Sequence, residues 1–366
     1  MGSGDTGGGM AGQTGAAGDI GHGGHGGAAN SGGAAGNVTT GGSGGNSAGG
    51  QAGLAGAAAT GGAAASGGAG GTASGGAGAH FTEYAIPGNA EPFGITNGPD
   101  DAIWFADPTN ALIYRITSSG QLTSFPVGGG PHFLTTGPDG NLWITETTPN
   151  RIGRLTPSGQ LDEFSVSGGL GNGEIVSGAD GNIWFGETQG NAVGRITPAG
   201  DVREFPLTTA NSQPYGVGIG GDQNIWCVER GADEIARITA VGAVTEFSLP
   251  VTSAGLFGVT TGPDGALWFS EFFSNRIGRF TLSGSYTDYT MPTLDSGPSQ
   301  LVFTTDGRLW FPEFNSNKIG SMDGTGNFVE YPIPTAGASP LGIAVSPEGE
   351  LWFTETNASK VGRLTP

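Results

Sequence analysis

Apolar positions in the second part of the chain fall into short bursts separated by Gly, Pro, Asp and Ser, the pattern of short strands and tight turns. Each burst is centred on a tryptophan. Around Trp143, Gly137-Pro138-Asp139-Gly140 predicts a turn and Asn141-Leu142-Trp143-Ile144-Thr145-Glu146 a strand. Asn150-Arg151-Ile152-Gly153-Arg154-Leu155-Thr156 predicts a second strand, and Pro157-Ser158-Gly159 a turn into a further strand over 160–166. Pro suits the second position of a type I turn, Asp favours local backbone hydrogen bonds and Gly accepts the last position. The turn recurs at 98–101, 262–265 and 346–349.

The seven tryptophans stand at 104, 143, 184, 226, 268, 310 and 352, so the unit repeats every 39 to 42 residues. With inner segments such as Pro92-Phe93-Gly94 and Pro214-Tyr215-Gly216, each unit holds four antiparallel strands, which at this period is a propeller blade. The seventh unit stops after its third strand. His80-Phe81-Thr82-Glu83-Tyr84-Ala85-Ile86 matches Asn327-Phe328-Val329-Glu330-Tyr331-Pro332-Ile333 almost position for position, so the first strand completes the last blade. The expected fold is all-β: a seven-bladed propeller over 80–366, closed by its N-terminal strand.

Composition changes the picture only at the front. Residues 1–79 hold 33 of the 75 glycines and contain no Phe, Trp, Tyr, Pro, Lys or Arg. With no apolar surface to offset an ordering cost of about 1–2 kcal/mol per residue, this Gly/Ala/Ser stretch is expected to be a disordered tether. Stacked glycine helices would need a strict three-residue period, which is absent. His22 and His25 on such a tail read as solvated side chains. The tether suggests a secreted or surface-anchored protein, although no signal-peptide pattern follows Met1.

Charge narrows the partners. Residues 80–366 carry 30 acidic and 13 basic side chains, which disfavours nucleic acid and anionic membranes and favours a cation or small ligand. No apolar run is long enough for membrane insertion. A monomer is expected. Cys227, the lone cysteine, reads as a small buried apolar residue. The acid three residues after each Trp (Asp107, Glu146, Glu187, Glu229, Glu271, Glu313, Glu355) recurs in every blade and reads as structural. It should accept hydrogen bonds from the next loop or pair with arginines such as Arg115, Arg154 and Arg195.

The phrases Leu351-Trp352-Phe353-Thr354-Glu355, Asn150-Arg151-Ile152-Gly153-Arg154 and Thr245-Glu246-Phe247-Ser248-Leu249-Pro250 resemble those of the virginiamycin B lyase (streptogramin B lyase) family across the whole propeller. The resemblance implies a carbon–oxygen lyase that opens the lactone of a cyclic depsipeptide by Mg²⁺-assisted elimination. In that reaction a base takes a proton alpha to a carbonyl, the metal stabilises the enolate-like charge and the ester oxygen departs. It also implies a site over the axis built from histidines and a tyrosine on the innermost strands, with nearby glutamates. His132, Glu174 and Tyr215, from consecutive inner segments, resemble that order, with Glu174 in the place of the base. His132, Glu174 and Glu187 are the candidate Mg²⁺ ligands. A non-catalytic binding propeller is the alternative, and a lactone hydrolase a third. No serine-nucleophile motif, phosphate loop or Cys/His metal spacing is present.

Overall fold

The computed structural model describes residues 79–366; the tether expected over 1–79 lies almost wholly outside them. Among the described residues 28 strands form seven four-stranded antiparallel sheets arranged as a ring. Each sheet, from its innermost to its outermost strand, is one blade. Blades 1 to 6 span 95–126, 131–165, 175–206, 214–248, 256–290 and 302–332. Blade 7 takes three strands from 340–365, and its outermost strand is His80–Ala85. That strand runs antiparallel to Lys360–Thr365 with His80 opposite Thr365 and Ala85 opposite Lys360. The fold and its closure are therefore as expected.

The repeated residues form one packing unit per blade. The Trp of the second strand is almost wholly buried and stacks on an aromatic ring of the outermost strand. Trp143 meets Phe164 at 5.8 Å and Trp268 meets Tyr289 at 5.6 Å. In blade 7 the ring on Trp352 is Tyr84, from the closing strand, at 5.5 Å. In every blade but the sixth, which has Ser321, an arginine stands directly opposite the Trp on the third strand, and in blades 2 and 3 it lies equally close to both stacked rings. Guanidinium groups of Arg154, Arg195 and Arg279 lie 5.5 to 5.7 Å from their Trp rings.

The turn aspartates do more than shape turns. Asp100, Asp139, Asp180, Asp222 and Asp264 each accept the indole N–H of the Trp four residues on, at 2.8 to 3.2 Å. Three of them also take an arginine: Arg115 reaches Asp100 at 2.5 Å, Arg279 reaches Asp264 at 2.6 Å and Arg195 lies 4.0 Å from Asp180, whereas Arg154 turns to Asp162 of the outermost strand at 2.6 Å. The expected pairing of these arginines with the acids after each Trp is thus corrected, because the strand register places Arg beside Trp and its turn. Hydrogen bonding from the next loop does occur at two of those acids. Asn110 donates to Asp107 and Ser316 to Glu313. Both oxygens of Glu146, Glu187, Glu229 and Glu355 are buried without a hydrogen-bond partner. Cys227 is fully buried, as expected.

Candidate functional site

The innermost strands of neighbouring blades approach so closely that a side chain is excluded at several positions. A Cβ on Gly94 would lie 2.6 Å from the His132 carbonyl oxygen, and one on Gly216 2.2 Å from that of Phe257. Backbone bonds between blades fix the register here. Gly94 N–H donates to His132 O (2.9 Å) and Glu174 N–H donates to Tyr215 O (2.8 Å). Ala106 N–H returns to Gly94 O, as Gly186 N–H returns to Glu174 O. Glu174 is therefore the equivalent of Gly94, ten residues before the blade's Trp, while His132 and Tyr215 stand eleven before theirs. The expectation that the three occupy one repeated position is corrected by a single residue. At the His132 position, blade 3 carries Gly173.

This register exposes a residue that the inner segments alone did not single out. Gln300 also stands ten residues before its Trp, where blades 1, 4, 5 and 7 have glycine. Its Nε2 donates to Glu174 Oε1 at 2.9 Å. Blades 3 and 6 are as far apart as two blades of a seven-membered ring can be, so this bond spans the central channel. Glu174 is 7% exposed, and burial pushes its carboxyl up to about 8, only partly opposed by the bonds from Gln300 and the Val217 backbone.

His132 begins the inner strand of blade 2, half-buried, with its ring edge-on to Phe93 at 5.1 Å. Its Nδ1 lies 3.1 Å from the Gly130 carbonyl, which can only accept, so Nδ1 carries the proton and Nε2 is the basic nitrogen. Thr147 Oγ1 is 3.4 Å from the same Nδ1. Tyr215 is 3% exposed and packs against Phe257 at 4.5 Å and Phe133 at 6.0 Å. A second residue missed in the sequence joins it: the guanidinium of Arg230 lies 5.3 Å from the Tyr215 ring and 5.4 Å from that of Phe273, which is 61% exposed. Arg230 has no counterpart in the repeat phrase, and that was its available signal.

Glu187 is placed elsewhere. It ends the second strand of blade 3, with its carboxyl packed among Gly168, Gly190 and Gly194, and burial together with the nearby Glu204 pushes it up to about 8. Among the described residues the only three acidic, His or Cys side chains with ligand atoms within 4.8 Å of one another are Glu229, Glu234 and Glu246. His132, Glu174 and Glu187 are not brought together as a metal-binding group.

The fold and the axial site define a seven-bladed β-propeller with one buried, proton-holding carboxyl inside its channel. The model of the virginiamycin B lyase family matches residues 68–255 and 233–366. The chain belongs to that family. A streptogramin B lyase structure is 31% identical over 78% of this chain and 97% of its own, with a TM-score of 0.75. Virginiamycin B lyase from Staphylococcus aureus is 34% identical over 79% of this chain and 99% of its own, also at 0.75. A catalytically inactive histidine-to-alanine variant of that protein with quinupristin matches with the same figures. No curated protein matches the chain.

Proposed function

We propose that this propeller is a carbon–oxygen lyase that opens the lactone of a cyclic depsipeptide. The observation that carries the reading is the Glu174 carboxyl, which is buried at the axis, raised to about 8 and held from across the channel by Gln300. Membership of the family and the likeness to streptogramin B lyases support it. In its ionised form Glu174 takes a proton from the carbon next to the one bearing the ester oxygen. A carbon–carbon double bond forms, the carbon–oxygen bond breaks and a carboxylate leaves with the electron pair. The product keeps the parent mass. His132 Nε2, as an acceptor, would orient a substrate N–H or O–H group, and the buried Tyr215 and Phe257 pack behind the inner strands. Since His132, Glu174 and Glu187 form no ligand group, no step is drawn through a metal. The expected Mg²⁺ dependence stands as a separate proposal, checked by titrating MgCl₂ against turnover.

Incubation with a streptogramin B should give a linear product of unchanged mass, whereas a hydrolase would add one water. Glu174→Gln should cost about 10² to 10⁴ in rate if it transfers the proton. A substrate left intact, with an affinity altered by His132→Ala, would instead establish a binding propeller. That reading is favoured by one observation: among the described residues His132 is the only histidine on an inner strand. Presentation from the cell surface by the 1–79 segment, and a monomeric state, complete the proposal. Cell fractionation and light scattering test these two.

A further inference from the structure

Most blades repeat an ion pair where the second, third and outermost strands meet. The acid after the Trp faces the first or second residue of the third strand: Glu146 opposite Arg151, Glu271 opposite Arg276, Glu313 opposite Lys318 and Glu355 opposite Lys360. Each of these cations reaches an acid of the outermost strand: Arg151 to Glu163 at 2.6 Å, Arg276 to Asp288 at 2.7 Å, Lys318 to Glu330 at 2.6 Å and Lys360 to Glu83 at 2.9 Å. In blade 4 the acid is Glu229 and the outer acid is Glu246, but the residue opposite Glu229 is Glu234. A carboxylate stands where four blades carry a positive charge.

Three carboxylates therefore converge within 4.8 Å, and none of them has a salt-bridge partner among the described residues. Glu229 is fully buried, and both its oxygens lack a partner. The hydroxyl of Ser212 donates to Asn191 at 3.1 Å and lies near enough to Glu229 to favour its charged form. Glu234 accepts the hydroxyls of Thr209 (2.7 Å) and Ser248 (2.6 Å), and Glu246 accepts the Thr208 and Thr209 backbone N–H groups and the Thr208 hydroxyl. Blades 6 and 7 put a lysine ammonium against the corresponding threonines, Thr293 and Thr335, both at 2.6 Å. Gathering three carboxylates, one of them buried, without a counter-ion is costly.

We propose that blade 4 binds one divalent cation of the Ca²⁺ class through Glu229, Glu234 and Glu246, in the place that a lysine or arginine fills in blades 2, 5, 6 and 7. Three carboxylates in one cluster, with the Thr209 and Ser248 hydroxyls beside them, suit the roughly six to eight oxygen ligands of Ca²⁺ better than Mg²⁺, which keeps several waters and takes one or two carboxylates. The ion is distinct from any Mg²⁺ at the axis and ties blade 4 to the 208–209 segment leading from blade 3.

The test uses the full chain, stripped with EDTA and titrated with CaCl₂. The melting temperature should rise by about 5 °C at 100 times Kd, with one ion per chain by equilibrium dialysis. Glu234→Lys, which restores the charge of blades 6 and 7, should abolish the response and be as stable in EDTA as the Ca²⁺-loaded wild type. Should that variant fold poorly, Glu229→Gln read by dialysis should weaken binding at least tenfold. Glu174→Gln should keep the full Ca²⁺ response, which separates this site from the axial one. A wild type that is indifferent to CaCl₂ and stabilised only by acid would show three carboxyls sharing protons and would overturn the proposal, as would an equal Ca²⁺ response in Glu234→Lys.

Discussion

Glu174 keeps its proton to about pH 8 because burial opposes its charge more strongly than Gln300 supports it. Catalysis by the ionised form should then give kcat/KM that climbs about tenfold per pH unit below that value and levels above it. Gln300→Leu removes a donor that favours the carboxylate, so the climb should move upward by about one unit, measured as the pH profile of lactone opening. A profile unmoved by Gln300→Leu would take Glu174 out of the proton transfer. The carboxyl itself was legible in the sequence as an acid among apolar inner segments. Its register was not, because the segment before blade 3 has Asn172 in place of the usual Pro, and only counting back from Trp184 aligns Glu174 with Gly94. Gln300 was hidden for a related reason: its partner lies 126 residues away across the channel, beyond the reach of any local pattern.

The strand His80–Ala85 is the element on which ring closure depends. Tyr84 supplies the ring that stacks on Trp352, Phe81 meets Phe353 edge-on at 6.0 Å, and Glu83 takes both Lys360 and the Thr335 N–H. Tyr84→Ala should cost about 2 kcal/mol, since the ring is only half-buried, and calorimetric or denaturant unfolding measures it. A chain beginning at Asn89 should melt far below one beginning at Gly78, and equal melting temperatures would contradict closure by this strand. Blade count, turns and closure were legible because every blade repeats its Trp, its turn and its outer aromatic. The partners of the charged residues were not, since a repeat tells which residues recur and not which of two nearby acids an arginine will meet. Arg279 bridges to Asp264 rather than Glu271 through cross-strand register alone.

Across the whole molecule the perturbed acids form two sets of opposite sign, one buried and one at the surface turns. Burial raises Glu146, Glu174, Glu187 and Glu229 to about 8, and Glu313 and Glu355 to about 7, from an ordinary value of 4.5. Folded protein then binds more protons than unfolded protein above pH 4.5, and stability falls as pH rises through 7 and 8. The turn aspartates Asp100, Asp139, Asp180, Asp222 and Asp264 are lowered from 3.8 by their indole, side-chain and backbone donors, which outweigh burial, so their contribution is lost as pH falls through their folded values. In EDTA, the melting temperature should therefore peak in mildly acidic buffer and decline towards pH 8.5; a steady rise over that range would contradict the assignment. Closure of the ring also carries a consequence for synthesis. Within the propeller the closing strand leaves the ribosome before every other strand and its partner, Lys360–Thr365, after them, so at about 5–20 residues per second the strand waits roughly 15 to 60 s for its mate. Six blades can assemble on the nascent chain in that time, but the seventh waits for Lys360–Thr365, and until that strand emerges both edges of the open ring are left for a chaperone or a translocation channel to shield.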